Sequence, residues 1–268
     1  MNTLREIIAE HVKYRKQIVK LAQSDIIKKY SGTMLGWTWA IIRPAIFIAI
    51  YYIAFRWGLK VGRQVGEYSY FMWIVAGLLP WFYVRDAFVS GASSIRKYRY
   101  MVTKIKFPVS VIPTIENMSL LITNVAFTLI ILVYFIISGK GPDIYWIQLP
   151  IYVVMMFMFF TSWSLFSGIL STLSKDFLQL IRSLTMALFW LSGVVFNLNN
   201  ITNPILNMFL LINPVTTIIK GYRNALIYKE WFWSDWKELI SFCIVYGIMI
   251  LLSLFVYKKM KREIADVL

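Results

Sequence analysis

The sequence predicts an all-α integral membrane protein with six transmembrane helices. Three observations carry that fold class. Apolar residues make up 59% of the 268 positions and charged residues only 15%, with a mean hydropathy of +0.64, against about 45–50% and about 25% in a soluble domain. Six apolar stretches reach the roughly 17–25 residues that a crossing helix needs. The Lys and Arg residues gather in alternate connecting segments.

The chain opens with an amphipathic segment. Leu4, Ile7, Ile8, Ile18, Val19, Ala22 and Ile26 fall near helical spacing, with Arg5, Glu6, Glu10, Lys13, Lys16 and Lys20 mostly elsewhere on the wheel. Charges throughout Met1–Tyr30 leave no room for a signal-peptide core. Residues 1–36 are expected as a helix lying in the cytoplasmic membrane interface, with a solvated cytoplasmic helix as the alternative. Residues 37–268 form the six-span domain. Its spans are expected at Trp37–Phe55, Ser69–Ser90, Val111–Ile137, Ile147–Thr172, Phe177–Phe196 and Leu239–Tyr257.

Two connections stand out. Residues 93–113 are basic and aromatic and close with Pro108 and Pro113, which suits a short cytoplasmic helix standing off the membrane. Residues 197–237 are too apolar for a solvated loop, and Pro204 and Pro214 cut their apolar runs below spanning length. Such runs read as extracytoplasmic re-entrant or interfacial helices, tolerated where protein or a cavity shields the backbone. With the N-terminus inside, eighteen of the 28 Lys and Arg fall on inner segments and eight on outer ones, Arg43 and Arg85 lying within spans. Both termini are therefore expected in the cytoplasm. The net charge of +15 belongs with these loops and anionic membrane lipids, and nucleic acid is not expected as a partner.

Much chemistry is excluded. Cys243 is the single cysteine and His11 the single histidine, so neither an intrachain disulfide nor a Cys or multi-His metal site can form. The only Gly-Lys, Gly139-Lys140, is followed by Gly141, so the chain has no P-loop, and no G-x-S-x-G, H-E-x-x-H or G-x-G-x-x-G occurs. Asn200-Ile-Thr202 matches a glycosylation sequon, a pattern too short to carry weight.

Charges at membrane depth each need a reason, because they cost about 2.5–3.5 kcal/mol on the insertion scale. Arg43 either snorkels to the inner interface or binds phosphate at an inner entrance. Arg85 and Asp86, beyond Pro80, are neighbours that should not face each other on a helix, so each is expected to point into a bundle or an aqueous path or to pair with another span. Glu116 has the same two readings, the structural one favoured. Trp37, Trp39, Trp57, Trp146, Trp231, Trp233 and Trp236 fall near span ends, as an interfacial belt does. Trp73, Trp81, Tyr83, Trp163 and Trp190 fall inside spans, where they either pack or line a path on which sugar rings stack.

Four segments resemble the membrane subunit of type-two ABC exporters, specifically the polysaccharide-export permeases. They are KKYSGTMLGWTWAIIRP at Lys28–Pro44, GLLPWFYVRDAFVSGASSIRKYRYMVTKIKFPVSVIPT at Gly77–Thr114, LINPVTTIIKGYRNAL at Leu211–Leu226 and the ending FVYKKMKREIADVL at Phe255–Leu268. The K-x-x-F-P-x-x-x-x-P and N-P-x-x-x-x-x-x-G-x-R patterns, Lys104–Pro113 and Asn213–Arg223, are the most specific. Through Ile144–Pro150 and Ser171–Ser183 the chain looks most like the teichoic-acid translocation permeases, with the O-antigen permeases as close relatives. Arg43 and the Arg85–Asp86 pair are not part of that pattern.

The resemblance implies a homodimer in a bacterial plasma membrane with two copies of a separate cytoplasmic ABC ATPase. ATP and magnesium would sit on that partner, leaving this chain a permease without enzymatic activity or a cofactor of its own. It implies export of an undecaprenyl-diphosphate-linked polysaccharide, wall teichoic acid favoured and O-antigen or another polysaccharide the alternative. It makes residues 94–107 the coupling helix, with Arg96, Lys97, Tyr100, Lys104 and Phe107 as the residues that engage the ATPase. Pro204–Ile227 would be the re-entrant pair, and Arg43, Trp73, Trp81, Tyr83, Arg85 and Trp190 the substrate path. The rivals are a drug or lipid ABC permease, an ion-coupled transporter, disfavoured by the missing internal repeat, and a membrane transferase, disfavoured by scattered carboxylates.

Overall fold

A computed structural model describes residues 3–58, 64–196 and 203–267. Helices dominate it, with one short hairpin pairing Gln64–Val65 and Tyr68–Ser69. The helices are α1 (Thr3–Tyr30), α2 (Trp39–Ile53), α3 (Tyr70–Lys97), α4 (Arg99–Ile105), α5 (Ile112–Ile137), α6 (Leu149–Leu173), α7 (Lys175–Leu191), α8 (Pro204–Ile212), α9 (Pro214–Arg223) and α10 (Trp236–Val267).

Local chemistry sets many of these boundaries. Ser69 starts α3 by accepting the Met72 N–H at 3.3 Å. Lys106, at φ 54°, closes α4 in the left-handed conformation. Pro113, Pro150, Pro204 and Pro214 all sit in first turns, where a missing N–H costs nothing. Asn203 and Asn213 cap α8 and α9.

α3 is the axis of the fold. Its apolar window is 78% buried, against 17% for the peripheral α10. α5, α6, α7 and α9 pack around it, and the main core runs through Trp73, Leu78, Phe82, Tyr83, Phe160, Ile218 and Tyr222. A polar line threads that core. Tyr83 Oη donates to Asn117 Oδ1 at 3.0 Å, and Asn117 Nδ2 donates to Ser164 Oγ and Pro113 O at 2.8 Å each. Buried polar groups on three helices thus satisfy one another, which fixes their register.

The span count is coarser than expected. Among the described residues, four helical stretches are long and apolar enough to cross a membrane: Tyr70–Ile105, Val109–Ile137, Ile144–Leu173 and Trp236–Lys261. The first and fifth expected spans correspond to shorter helices. α2 has 15 residues before the chain widens into a π-type turn at Ala54–Gly58, a length of about 22 Å against a hydrocarbon core of about 30 Å. α7 has 17 residues and carries Lys175, Asp176 and Arg182. The proline-interrupted segment holds a bent helix pair, Pro204–Ile212 and Pro214–Tyr228 meeting at 87°. Its first residues, 197–202, with the sequon, lie outside the described residues.

α1 docks on the bundle rather than running free. His11 Nε2 lies 2.7 Å from Thr114 Oγ1, Glu10 accepts from Ser110, and Lys261 Nζ donates to Glu6 at 2.7 Å. Ile18 and Ala22 are buried with Tyr98, Ile112, Tyr257 and Ile264 in a second core. One end of the bundle therefore holds the start of α1, the end of α10 and α4. Leu4, Ile8, Val12 and Val19 stay exposed on the other side of α1.

Candidate functional site

A charged cleft lies between the end of α1, α2, α3 and α5, with about 590 Å³ of space, part of it open to solvent. Lys29, Arg43, Arg85 and Asp86 line it with Tyr30, Phe47, Phe82, Tyr83 and Asn124. Arg85 is held in place on two sides. Its guanidinium lies 5.3 Å from the Phe47 ring centroid and 5.8 Å from that of Phe82. It also donates to Asp86 Oδ1 through Nε at 2.9 Å, with a second nitrogen at 2.8 Å.

That pairing corrects the expectation that adjacent residues would not meet. Neighbouring Cβ atoms diverge on a helix, but the arginine side chain is long enough to reach the adjacent carboxylate. Lys29 Nζ reaches Asp86 Oδ2 at 4.0 Å. Arg43 is exposed and has no ion-pair or hydrogen-bond partner among the described residues. Burial, reinforced by the Asp86 carboxylate and opposed by Arg43, pushes the Tyr30 hydroxyl above its ordinary value of 10.0. It remains a neutral donor on the cleft wall. Asn124 donates to Leu79 O at 2.8 Å and leaves its own buried Oδ1 unpartnered.

Of the six residues expected along a substrate path, the structure brings Arg43, Tyr83 and Arg85 together here, Tyr83 as a buried wall. Trp73 and Trp81 are packed into the core. Trp81 rests 5.1 Å from the Phe189 ring, and Trp73 Nε1 donates to Tyr228 Oη at 2.8 Å. Trp190 is exposed on α7, away from the cleft.

The N-P-x-x-x-x-x-x-G-x-R pattern builds a clip. Asn213 accepts the Val215 N–H at 3.0 Å while its Nδ2 donates to Ser192 Oγ at 2.9 Å and Leu191 O at 3.2 Å. Gly221 leaves room for the Tyr152 ring. Arg223 is buried, donates to Gly193 O at 2.7 Å and to Val194 O, and lies 3.7 Å above the Trp73 ring centroid. Gly77 makes space for it: a Cβ there would sit 2.9 Å from Arg223 Cζ and 2.8 Å from Val194 O. The motif thus locks the turn after α7 to α9, and sequence spacing alone did not reveal the carbonyls it satisfies.

The expected coupling segment divides in two. Its first residues complete α3, and only Arg99–Ile105 form a separate helix. Arg96 donates to Thr172 O at 3.2 Å. Lys97 Nζ lies 2.7 Å from Asp25 and 2.6 Å from the buried Glu116, so Glu116 takes its structural reading. Phe107 is buried, its ring 4.9 Å from that of Tyr14. Tyr100 and Lys104 face outward from α4. At the opposite end Lys229 and Asp143 pair at 3.0 Å.

Residues 16–227 match the family described as ABC-2 type transporter. Curated relatives match almost end to end. The O-antigen export system permease protein RfbA of Myxococcus xanthus is 23% identical over 265 residues, covering 97% of this chain and 98% of its own length. Its namesake from Klebsiella pneumoniae is 22% identical over 253 residues, 94% of each chain.

Proposed function

Because the chain belongs to the ABC-2 type transporter family, we propose that it is the membrane subunit of an ATP-driven exporter of a lipid-linked cell-surface polysaccharide. The observation that carries this reading is the near end-to-end match to O-antigen export permeases. The substrate is a polymer on undecaprenyl diphosphate, moved from the inner to the outer face of the plasma membrane. Two copies of this chain form six-span halves of the pathway, with both termini in the cytoplasm. Two copies of a P-loop ATPase dock below them and supply ATP hydrolysis with magnesium. The short α2 and α7 complete their crossings through partner helices or local thinning of the bilayer.

Coupling uses α4. Tyr100 and Lys104 are presented to solvent, while Arg96, Lys97 and Phe107 fix the base beneath them. A rigid base lets movement of a docked ATPase turn into rigid-body movement of α3 and α5. A polymer that slides must be held weakly along its length, and aromatic faces do that without a fixed hydrogen-bond register.

Wall teichoic acid is the polymer suggested by Ile144–Pro150 and Ser171–Ser183. O-antigen is the one suggested by the names of the relatives.

The test is purification from the native membrane in mild detergent, with mass spectrometry and an ATPase assay. A P-loop protein at one copy per chain is the expected result. Isolation alone, with gradient-driven transport, refutes the reading. Depleting the protein and analysing the envelope then separates the polymers: loss of polyol-phosphate chains marks teichoic acid, and loss of lipid-A-linked repeats marks O-antigen.

A further inference from the structure

The cleft between α1, α2, α3 and α5 holds three cations around one carboxylate: Lys29, Arg43 and Arg85 around Asp86. It therefore carries an excess of two positive charges at neutral pH, beside an apolar wall of Phe47, Phe82 and Phe127. Its charges are unevenly satisfied. Arg85 is oriented by two aromatic rings and by Asp86. Lys29 touches Asp86 only at 4.0 Å. Arg43 has no ion-pair or hydrogen-bond partner among the described residues.

We infer that this cleft binds the phosphate headgroup of an amphiphile, and that Asp86 is a resident counter-anion which the headgroup displaces. The inference rests on the export reading and names where the substrate's lipid-linked end is held.

The chemistry fits the residues. A phosphate group offers several acceptor oxygens to a guanidinium fork, where Asp86 offers Arg85 a single oxygen. A diphosphate supplies the two negative charges that the cleft lacks. The phenyl wall accepts the first carbons of a lipid chain, which distinguishes an amphiphile from a free inorganic anion. Asp86 keeps the empty cleft from presenting three unneutralised cations, and it lowers affinity so that the headgroup can leave. Lys29 stands one helical turn beyond Asp25, the partner of Lys97. An occupant that engages Lys29 therefore pulls on the same helix that braces the base of α4.

The test uses the full chain in phosphatidylcholine nanodiscs, with radiolabelled farnesyl diphosphate as probe and farnesol and inorganic pyrophosphate as competitors. The wild type should bind farnesyl diphosphate, with farnesol failing to compete and pyrophosphate competing weakly. R43Q and R85Q should each weaken binding by about tenfold or more. D86N should tighten it several-fold. If R85Q does not fold, R43Q carries the test, because that side chain is exposed and unpaired. Unchanged binding in R43Q, or weaker binding in a thermally intact D86N, would overturn the inference, since a purely structural Arg85–Asp86 pair predicts no gain.

Repeating the assay with phosphatidylglycerol in the discs separates the sources. Strong competition assigns the cleft to a membrane-lipid headgroup; its absence assigns it to a prenyl diphosphate. Export and ATPase co-purification are scored on the same variants. A wild type that exports without binding the probe loses only the site, and one that binds without an ATPase partner loses only the export reading.

Discussion

Arg223 gives the sharpest test of the packing argument. It is a buried cation with no carboxylate partner among the described residues, held instead by two carbonyl oxygens and the face of Trp73. Hydrogen bonds from a charged donor contribute about 1.5–3 kcal/mol each, and a desolvated cation–π contact about 2 kcal/mol. Against this stands the cost of keeping the guanidinium out of water, several kcal/mol. Arg223→Met keeps most of the volume, removes that cost and strands the Gly193 and Val194 carbonyls. The net expectation is a loss of about 2–4 kcal/mol, since each stranded carbonyl costs about 1–3 kcal/mol. At about 2–4 °C per kcal/mol for a chain of this size, the unfolding temperature should fall by roughly 4–16 °C. The assay is thermal unfolding of the purified protein followed by tryptophan fluorescence, in which Trp73 should also shift its emission. Gly77→Ala should reproduce the defect, because its new Cβ would push Arg223 aside. The double variant should then lose little more than either single one. Equal or higher stability of Arg223→Met would refute the reasoning: desolvation would outweigh the bonds, and the motif would need another explanation.

Four further outcomes follow from the same geometry. Tyr100→Ala and Lys104→Ala should reduce co-purification of the ATPase while leaving the unfolding temperature unchanged, whereas Phe107→Ala should lower it by several degrees, since such truncations cost about 3–5 kcal/mol. Lys97→Met leaves Asp25 and Glu116 without their shared cation; with Lys97 partly exposed the loss should be about 1–2 kcal/mol, read as faster tryptic cleavage within α1 and reversed in part by Asp25→Asn. Gly221→Ala should cost about 1–3 kcal/mol by driving a methyl into the Tyr152 ring, seen in thermal unfolding. The Lys229–Asp143 pair sets a pH window: the hydrogen bond from Lys229 holds the Asp143 carboxyl below 3.8, and the same bond raises Lys229 above 10.5. The pair's contribution is present between those values, is lost on the acid side as pH falls through the depressed carboxyl value, and is lost on the alkaline side through the raised lysine value. Asp143→Asn should therefore lower the unfolding temperature near neutrality and converge with the wild type at both the acid and the alkaline end of the window.

Hydropathy made α3, α5, α6 and α10 legible, because each presents an apolar window of spanning length. The break at Pro204 and Pro214 was legible for the complementary reason: a proline cannot continue the helix before it, and the two halves meet at 87°. What length and composition overstated were α2 and α7. Their apolar runs join with residues that the backbone winds differently, a π-type turn after Ile53 and the turn at residues 192–196 after Leu191. The docking of α1 was illegible for a different reason. Its contacts join His11 to Thr114 and Glu6 to Lys261, separations of 103 and 255 residues that no local pattern encodes. The aromatic residues expected along a path do not share one surface, because hydropathy does not separate a tryptophan facing a channel from one packed in a core. Trp73 and Trp81 are buried against Tyr228, Arg223 and Phe189.

The buried and half-buried cations sort themselves by how completely they are satisfied. Arg223 has two carbonyls and a ring, Lys97 two carboxylates, and Arg96 a helix-end carbonyl. Each closes a junction between elements, so moving it would open the fold. Arg85 and Lys29 share the single carboxylate of Asp86, and Arg43, on the same cleft, has none. Charge left this unbalanced near apolar walls persists in a folded protein only where solvent or a ligand completes it. The sequence singled out Arg43 and Arg85 as charges within spans, and the resemblance singled out Arg96 and Lys97 as coupling residues. Partner arithmetic separates them: saturation marks the braces at the terminal end of the bundle, and deficit marks the cleft. Because Asp25 and Lys29 lie one turn apart on α1, a single helix joins the deficit of the cleft to the braces at the base of α4.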